Sequence, residues 1–132
     1  MLVVDDTKIN LTVVKHLLKN TKMIIETASS GKEAVSMAEK TEYDVILMDQ
    51  RMPEMNGTEA LHHIRSTAGA ASVVSPVICL TADAVVGARD RYMAEGFSDY
   101  ITKPVDGYEL EKMLMKYLPK EKLLIVREKT GE

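Results

Sequence analysis

Five short apolar runs, each followed by a stretch whose apolar residues recur at helical spacing, constrain this chain more than any other feature. The first run is LVV at 2 to 4, with Ile9, Val13, Leu17 and Leu18 behind it at the spacing of a helix. The second is MIIETA at 23 to 28, leading to a helix that opens near Gly31 with Ala34, Val35 and Ala38 on one face. The third, YDVILMD at 43 to 49, passes through a Pro and Gly loop to Ala60, Leu61 and Ile64. PVICLTA at 76 to 82 is the fourth, and its helix, roughly 84 to 95, carries Gly87 and a poor apolar stripe. The fifth, SDYIT at 98 to 102, leads through Lys103 and Pro104 to a helix with Leu110, Met113, Leu114, Tyr117 and Leu118 on one side. Asp106 and Glu109 are the expected capping pair at its start. Strands this rich in Val, Ile and Leu are buried on both faces, which requires a parallel sheet with helices on either side. The fold class is α/β.

At 132 residues the chain has room for one buried core and not for a second folded module beside a core of this size. A composition of 45% hydrophobic and 28% charged residues fits an ordinary soluble protein, and no apolar run is long enough to span a bilayer. The opening MLVVDD has no basic region before its apolar residues and no cleavage-like site after them, so export is not expected and a cytoplasmic setting is. The single cysteine, Cys79, lies in the run PVICL, where a small buried hydrophobe belongs. A net charge of -3 leaves no basic field for nucleic acid, so direct contact with DNA or RNA is not expected. His16, His62 and His63 read as solvated helix residues, and the adjacent pair points to different sides of its helix. No glycine-rich loop suited to cradling phosphates is present.

In open α/β sheets, ligands sit beyond the carboxyl ends of the strands. Asp5 and Asp6 follow the first strand, Asp49 ends the third, Thr81 ends the fourth and Lys103 follows the fifth, so all fall on one rim. Singly, each has a dull explanation: an acid caps a helix, a Thr turns the chain, a Lys is solvated. Gathered at one edge, the carboxylates repel one another by roughly 4 kcal/mol per pair at 4 Å and an effective dielectric near 20. That repulsion calls for a cation. Mg²⁺ suits one or two carboxylates with several waters and a phosphate partner, and Lys103 supplies further positive charge. A carboxylate in that setting is a competent nucleophile toward phosphorus, and the Thr81 hydroxyl can donate to a new phosphoryl oxygen.

VVDD at 3 to 6, LMDQRMPEMNG at 47 to 57, LTA at 80 to 82 and DYITKP at 99 to 104 resemble, in order and spacing, the response regulator receiver domain. The resemblance runs from residue 2 to about 118, and the segments DDTKINLTVVKHLLK at 5 to 19 and MDQRMPEMNG at 48 to 57 are most similar to receivers attached to hybrid sensor histidine kinases. It implies a flavodoxin-like, doubly wound sheet of five strands in the order 2-1-3-4-5 with five helices. Asp49 is then the phosphorylation site, and Asp5, Asp6 and Asp49 hold Mg²⁺, with Asp6 a direct ligand and the backbone carbonyl of Arg51 completing the protein ligands. Mn²⁺ is an expected substitute. Thr81 and Lys103 assist the transfer, Thr81 and Tyr100 form the switch, and the Lys103 to Pro104 bond is cis. The implied partner is a histidine kinase or histidine phosphotransfer protein, and the implied output surface, also a surface for dimers, is the fourth helix, fifth strand and fifth helix. On this reading the chain is a phosphoacceptor that assists its own phosphorylation and dephosphorylation rather than an enzyme with an external substrate.

Departures from the family pattern fall at both ends. The first strand lacks a few residues usual before LVV, which is expected either to weaken its edge or to reflect a trimmed sequence. Residues 1 to 118 make up the receiver unit, and PKEKLLIVREKTGE at 119 to 132 exceeds it as a linker or an extra edge strand. Arg51 and Asp83 stand where the family tunes phosphoryl lifetime. Two rivals belong to other classes. A phosphatase with an aspartyl nucleophile, of the haloacid dehalogenase kind, needs an acid two residues beyond it, where this chain has Arg51. An inert interaction module of receiver shape loses an acid or the lysine, and here all are present.

Overall fold

Successive residues of a strand point to opposite faces of its sheet, and here both sets are apolar. The computed structural model describes residues 1–19, 23–67, 69–82 and 86–118. Strands and helices alternate as β1 (Leu2–Val4), α1 (Lys8–Leu17), β2 (Glu26–Ala28), α2 (Gly31–Lys40), β3 (Ile46–Asp49), α3 (Gly57–Ser66), β4 (Val77–Thr81), α4 (Ala88–Glu95), β5 (Asp99–Thr102) and α5 (Gly107–Tyr117). All pairings are parallel, in the order β2-β1-β3-β4-β5. The two-residue period sorts the core. Leu2, Val4, Ile46, Met48, Val77 and Cys79 meet Ala34 and Ala38 of α2, Leu61 and Ile64 of α3, and Tyr92 of α4. Val3, Leu47, Ile78, Leu80 and Ile101 meet Leu11 and Val14 of α1 and Leu110 and Leu114 of α5. Both faces are thus covered, as the apolar runs require.

Several expectations change in detail. On α1 the sheet-facing stripe is Leu11, Val14 and Leu18, spaced i, i+3 and i+7, which leaves Ile9 73% and Val13 40% exposed. The second strand is shorter than MIIETA, because β1 offers three rungs, Leu2 to Glu26 through Val4 to Ala28, and Ile24 falls outside them, exposed. β1 itself lies between β2 and β3, so it is no edge. The fourth helix begins at Ala88, and Gly87 is its N-cap in the left-handed region at φ 87°, where a glycine costs least. Asp106 occupies the N-cap of α5, but its side chain makes no capping bond. The capping box is at α3 instead, where Asn56 accepts from the Glu59 N–H at 2.9 Å and Glu59 accepts from the Asn56 N–H at 3.1 Å. Residues 119 to 132 and Asp83 lie outside the described residues.

Candidate functional site

The rim at the carboxyl ends of β1, β3, β4 and β5 holds the acids, the threonine and the lysine singled out from the sequence. Asp5 is 1% exposed and Asp49 3%, while Asp6 faces solvent. The Asp5 carboxylate accepts from the Thr7 N–H at 2.9 Å, which fixes its orientation at the entry to α1. Lys103, carried past the end of β5, donates from Nζ to Asp49 at 2.8 Å and to Asp5 at 3.2 Å. The Lys103 to Pro104 peptide is cis, as the resemblance implies.

Charge and burial work against each other at Asp49. Burial pushes its carboxyl above the ordinary range; the Lys103 hydrogen bond pulls it back, the Asp5 charge pushes it up again, and the Arg51 N–H pulls it down. Burial alone would lower the Lys103 ammonium, but the bonds and charges of Asp49 and Asp5 outweigh it and hold the group above its usual value. Three carboxyl groups stand against the Lys103 ammonium at this rim. Asp5, Asp6 and Asp49 each place an oxygen within 4.8 Å of the others. The donor set is all oxygen, the charge calls for a divalent ion, and solvent reaches it at Asp6. A hard divalent cation therefore fits.

Thr81 ends β4 buried, and its hydroxyl oxygen lies 2.8 Å from that of Tyr92 on α4. The Tyr92 ring in turn packs edge-on against Phe97 at 6.1 Å and tilted against Tyr100 at 5.9 Å between centroids. Tyr100 is half-buried at the end of this stack. Beside the acids runs an open cleft of about 610 Å³ lined by Gln50, Arg51, Asn56, Thr81, Arg91 and Tyr92, among others. Arg51 is exposed in it.

Sequence reasoning missed two features. Gly57, the first residue of α3, sits so near the end of β3 that a Cβ there would lie 2.6 Å from the Asp49 carbonyl oxygen. Tyr92 was hidden in a helix with little apolar periodicity, and nothing in residue spacing announces a hydroxyl partner on another strand. Cys79 behaves as expected: burial pushes its thiol up to about 12, so it is unreactive at neutral pH.

A family model, the response regulator receiver domain, matches residues 1–115. The chain belongs to this family. As a receiver domain it is the phosphoacceptor of a two-component phosphorelay. It is 34% identical over 119 residues to the signal transduction histidine-protein kinase BarA of Escherichia coli, an alignment covering 90% of this chain and 13% of the kinase. The receiver therefore spans a small part of such relatives. Among solved structures, it is similar to the receiver domain of a sensor histidine kinase of Pseudomonas aeruginosa PAO1, with 35% identity and a TM-score of 0.76, covering 88% of this chain and 93% of that one. That structure has a magnesium ion coordinated in its active-site cleft. It is also similar to the chemotaxis response regulator CheY4 of Vibrio cholerae, with 31% identity and a TM-score of 0.78, covering 89% of this receiver and 96% of that chain. No helix among the described residues is long and apolar enough to cross a membrane.

Proposed function

We propose that Asp49 is the residue that takes the phosphoryl group, from a phosphohistidine on a histidine kinase or histidine phosphotransfer protein, with Mg²⁺ required. The supporting observation is the Lys103 ammonium bonded to both Asp49 and Asp5, with an Asp6 oxygen completing the acidic cluster. The side chains of Asp5, Asp6 and Asp49 and the backbone carbonyl of Arg51 would hold the ion, Asp6 directly. When bound, it supplies positive charge against the phosphoryl oxygens.

The rest belongs to the chain. An Asp49 oxygen attacks phosphorus, the O–P bond forms as the P–N bond breaks, and the electron pair leaves on the imidazole nitrogen, which is then protonated from solvent. Lys103 keeps Asp49 ionised despite its burial and turns to the phosphoryl oxygens as charge moves onto them. Thr81 donates its hydroxyl to one of those oxygens, and Tyr100 responds to that movement, biasing a pre-existing equilibrium of the surface formed by α4, β5 and α5. Arg51, exposed in the adjoining cleft, governs access of water and so the lifetime of the acyl phosphate, whose hydrolysis the same groups assist. In this proposal Mn²⁺ substitutes for Mg²⁺, the setting is cytoplasmic, and dimers form through the α4, β5 and α5 face.

The test is incubation with acetyl phosphate, with and without Mg²⁺, read by intact mass on the parent and on Asp49→Asn. One phosphoryl mass should appear on the parent alone, and on it only with metal. Equal labelling of Asp49→Asn would move the acceptor elsewhere.

A further inference from the structure

Helix α4 is held by few apolar side chains: among its described residues only Ala88 and Tyr92 are buried. Tyr92 is therefore its main anchor, and its hydroxyl is spent on Thr81, with both residues under 5% exposed. The same ring touches Tyr100. One side chain thus joins the hydroxyl at the end of β4, the body of α4 and the aromatic of β5.

We propose that Tyr92 is a positioning residue of the switch: its hydroxyl tethers Thr81 to α4 while Asp49 is unmodified, and must release it when a phosphoryl oxygen claims the Thr81 proton. The inference rests on Asp49 being the phosphoacceptor and adds a named competitor to that site. A threonine hydroxyl carries one proton, and a phosphoryl oxygen only accepts. If Thr81 donates to Tyr92, that proton has to be reassigned. If Tyr92 donates to Thr81, the bond still holds the threonine toward α4 and is stretched as the side chain turns to the phosphate. In the first case the buried tyrosine hydroxyl loses its donor and in the second its bond is strained as Thr81 turns, and a buried polar group poorly paired is unfavourable, so α4 shifts until Tyr92 is satisfied again. Because the ring also leans on Tyr100, that shift reaches β5.

Tyr92→Phe keeps the ring and its packing and removes the hydroxyl. Freed from the tether, Thr81 should serve the phosphoryl oxygen sooner, and phosphorylation by acetyl phosphate at fixed Mg²⁺ should run roughly three- to tenfold faster than in the parent, the worth of one hydrogen bond. In a Thr81→Val background the same substitution should change nothing. Before phosphorylation, amide exchange across α4 should rise by a similar factor in either single variant, and no further in the double. A Tyr92→Phe protein that labels at the parent rate, or is accelerated equally with Val at position 81, overturns the proposal. Should the parent take no phosphate, the reading of Asp49 fails first. The exchange measurement then decides the tether by itself, and equal α4 exchange in parent and Tyr92→Phe would refute it.

Discussion

Two buried carboxylates share one ammonium at the centre of this receiver, and the arithmetic is unfavourable for Asp49. Burial is the largest influence on its carboxyl and raises it, with Asp5 adding to the rise and Lys103 offsetting part of it. A carboxyl whose folded-state value lies above its unfolded one is a liability that grows as pH climbs through the folded value and vanishes below the unfolded one. Asp49→Asn should therefore melt above the parent at pH 7, by about 4 °C for each kcal/mol relieved in a domain of this size, and the gap should close as pH falls below the ordinary carboxylate range. Thermal melts from pH 3 to pH 7 measure it. An Asn variant less stable at pH 7 would mean that Lys103 outweighs burial. Gly57 is the second residue whose role is spatial. A methyl group there meets the Asp49 carbonyl at 2.6 Å, Gln50 Oε1 at 2.9 Å and the Gln50 Cα at 3.1 Å, so the backbone carrying Asp49 has to move. Gly57→Ala is expected to cost about 1–3 kcal/mol in urea denaturation, as overpacking does. It should also slow labelling of Asp49 by more than that loss of folded protein explains.

At the scale of elements, α5 is locked to β5 by Asp99. Its carboxylate accepts from Lys116 Nζ at 3.0 Å, from Tyr117 Oη at 3.1 Å and from the Tyr100 N–H at 2.9 Å. Burial alone would raise this carboxyl, but those three donors outweigh it and hold it below the usual range. The sign is opposite to that of Asp49: this stability is present above the unfolded value and lost as pH falls through the folded one. Asp99→Asn should lose about 1–3 kcal/mol at pH 7, the worth of hydrogen bonds to a charged group, and nothing relative to the parent in strong acid. Urea titrations at pH 7 and pH 2 compare them. This lock was not legible in the sequence, where Asp99 was only one letter in a strand. The elements themselves were legible, since each apolar run and its following stripe can be buried only in a two-sided parallel sheet. The rim was legible too, because loops after parallel strands open on one side. What escaped were contacts decided by tertiary packing: Leu11 and Val14 rather than Ile9 and Val13 face the sheet, and Asn56 rather than Asp106 makes the capping bonds. Periodicity gives the angle between apolar residues, and only the sheet decides which of two overlapping stripes turns inward. At α4, Glu95 is tied through Thr58 at 2.8 Å to Gln50, the neighbour of Asp49, again through polar side chains that carry no periodic signal.

Across the whole molecule, binding of the proposed Mg²⁺ and folding would be one equilibrium. An ion that binds the gathered acids and not the unfolded chain stabilises the native state by about 2.7 kcal/mol at a hundredfold excess over its Kd. Titration with Mg²⁺ should therefore raise the melting temperature of the parent until the acids saturate, and Asp6→Asn should flatten the response. A curve for Asp6→Asn that overlays the parent would remove Asp6 from the ligand set. Lys103 stands 98 positions beyond its partner Asp5, and the strand that delivers it, β5, is the last of the described strands in chain order. A nascent chain released from the ribosome only as far as β4 has Asp5, Asp6 and Asp49 but lacks Lys103 to set against them. With Lys103 in its proposed role, competence to receive a phosphoryl group arrives only with β5, so the chemistry waits on the pairing of the five described strands.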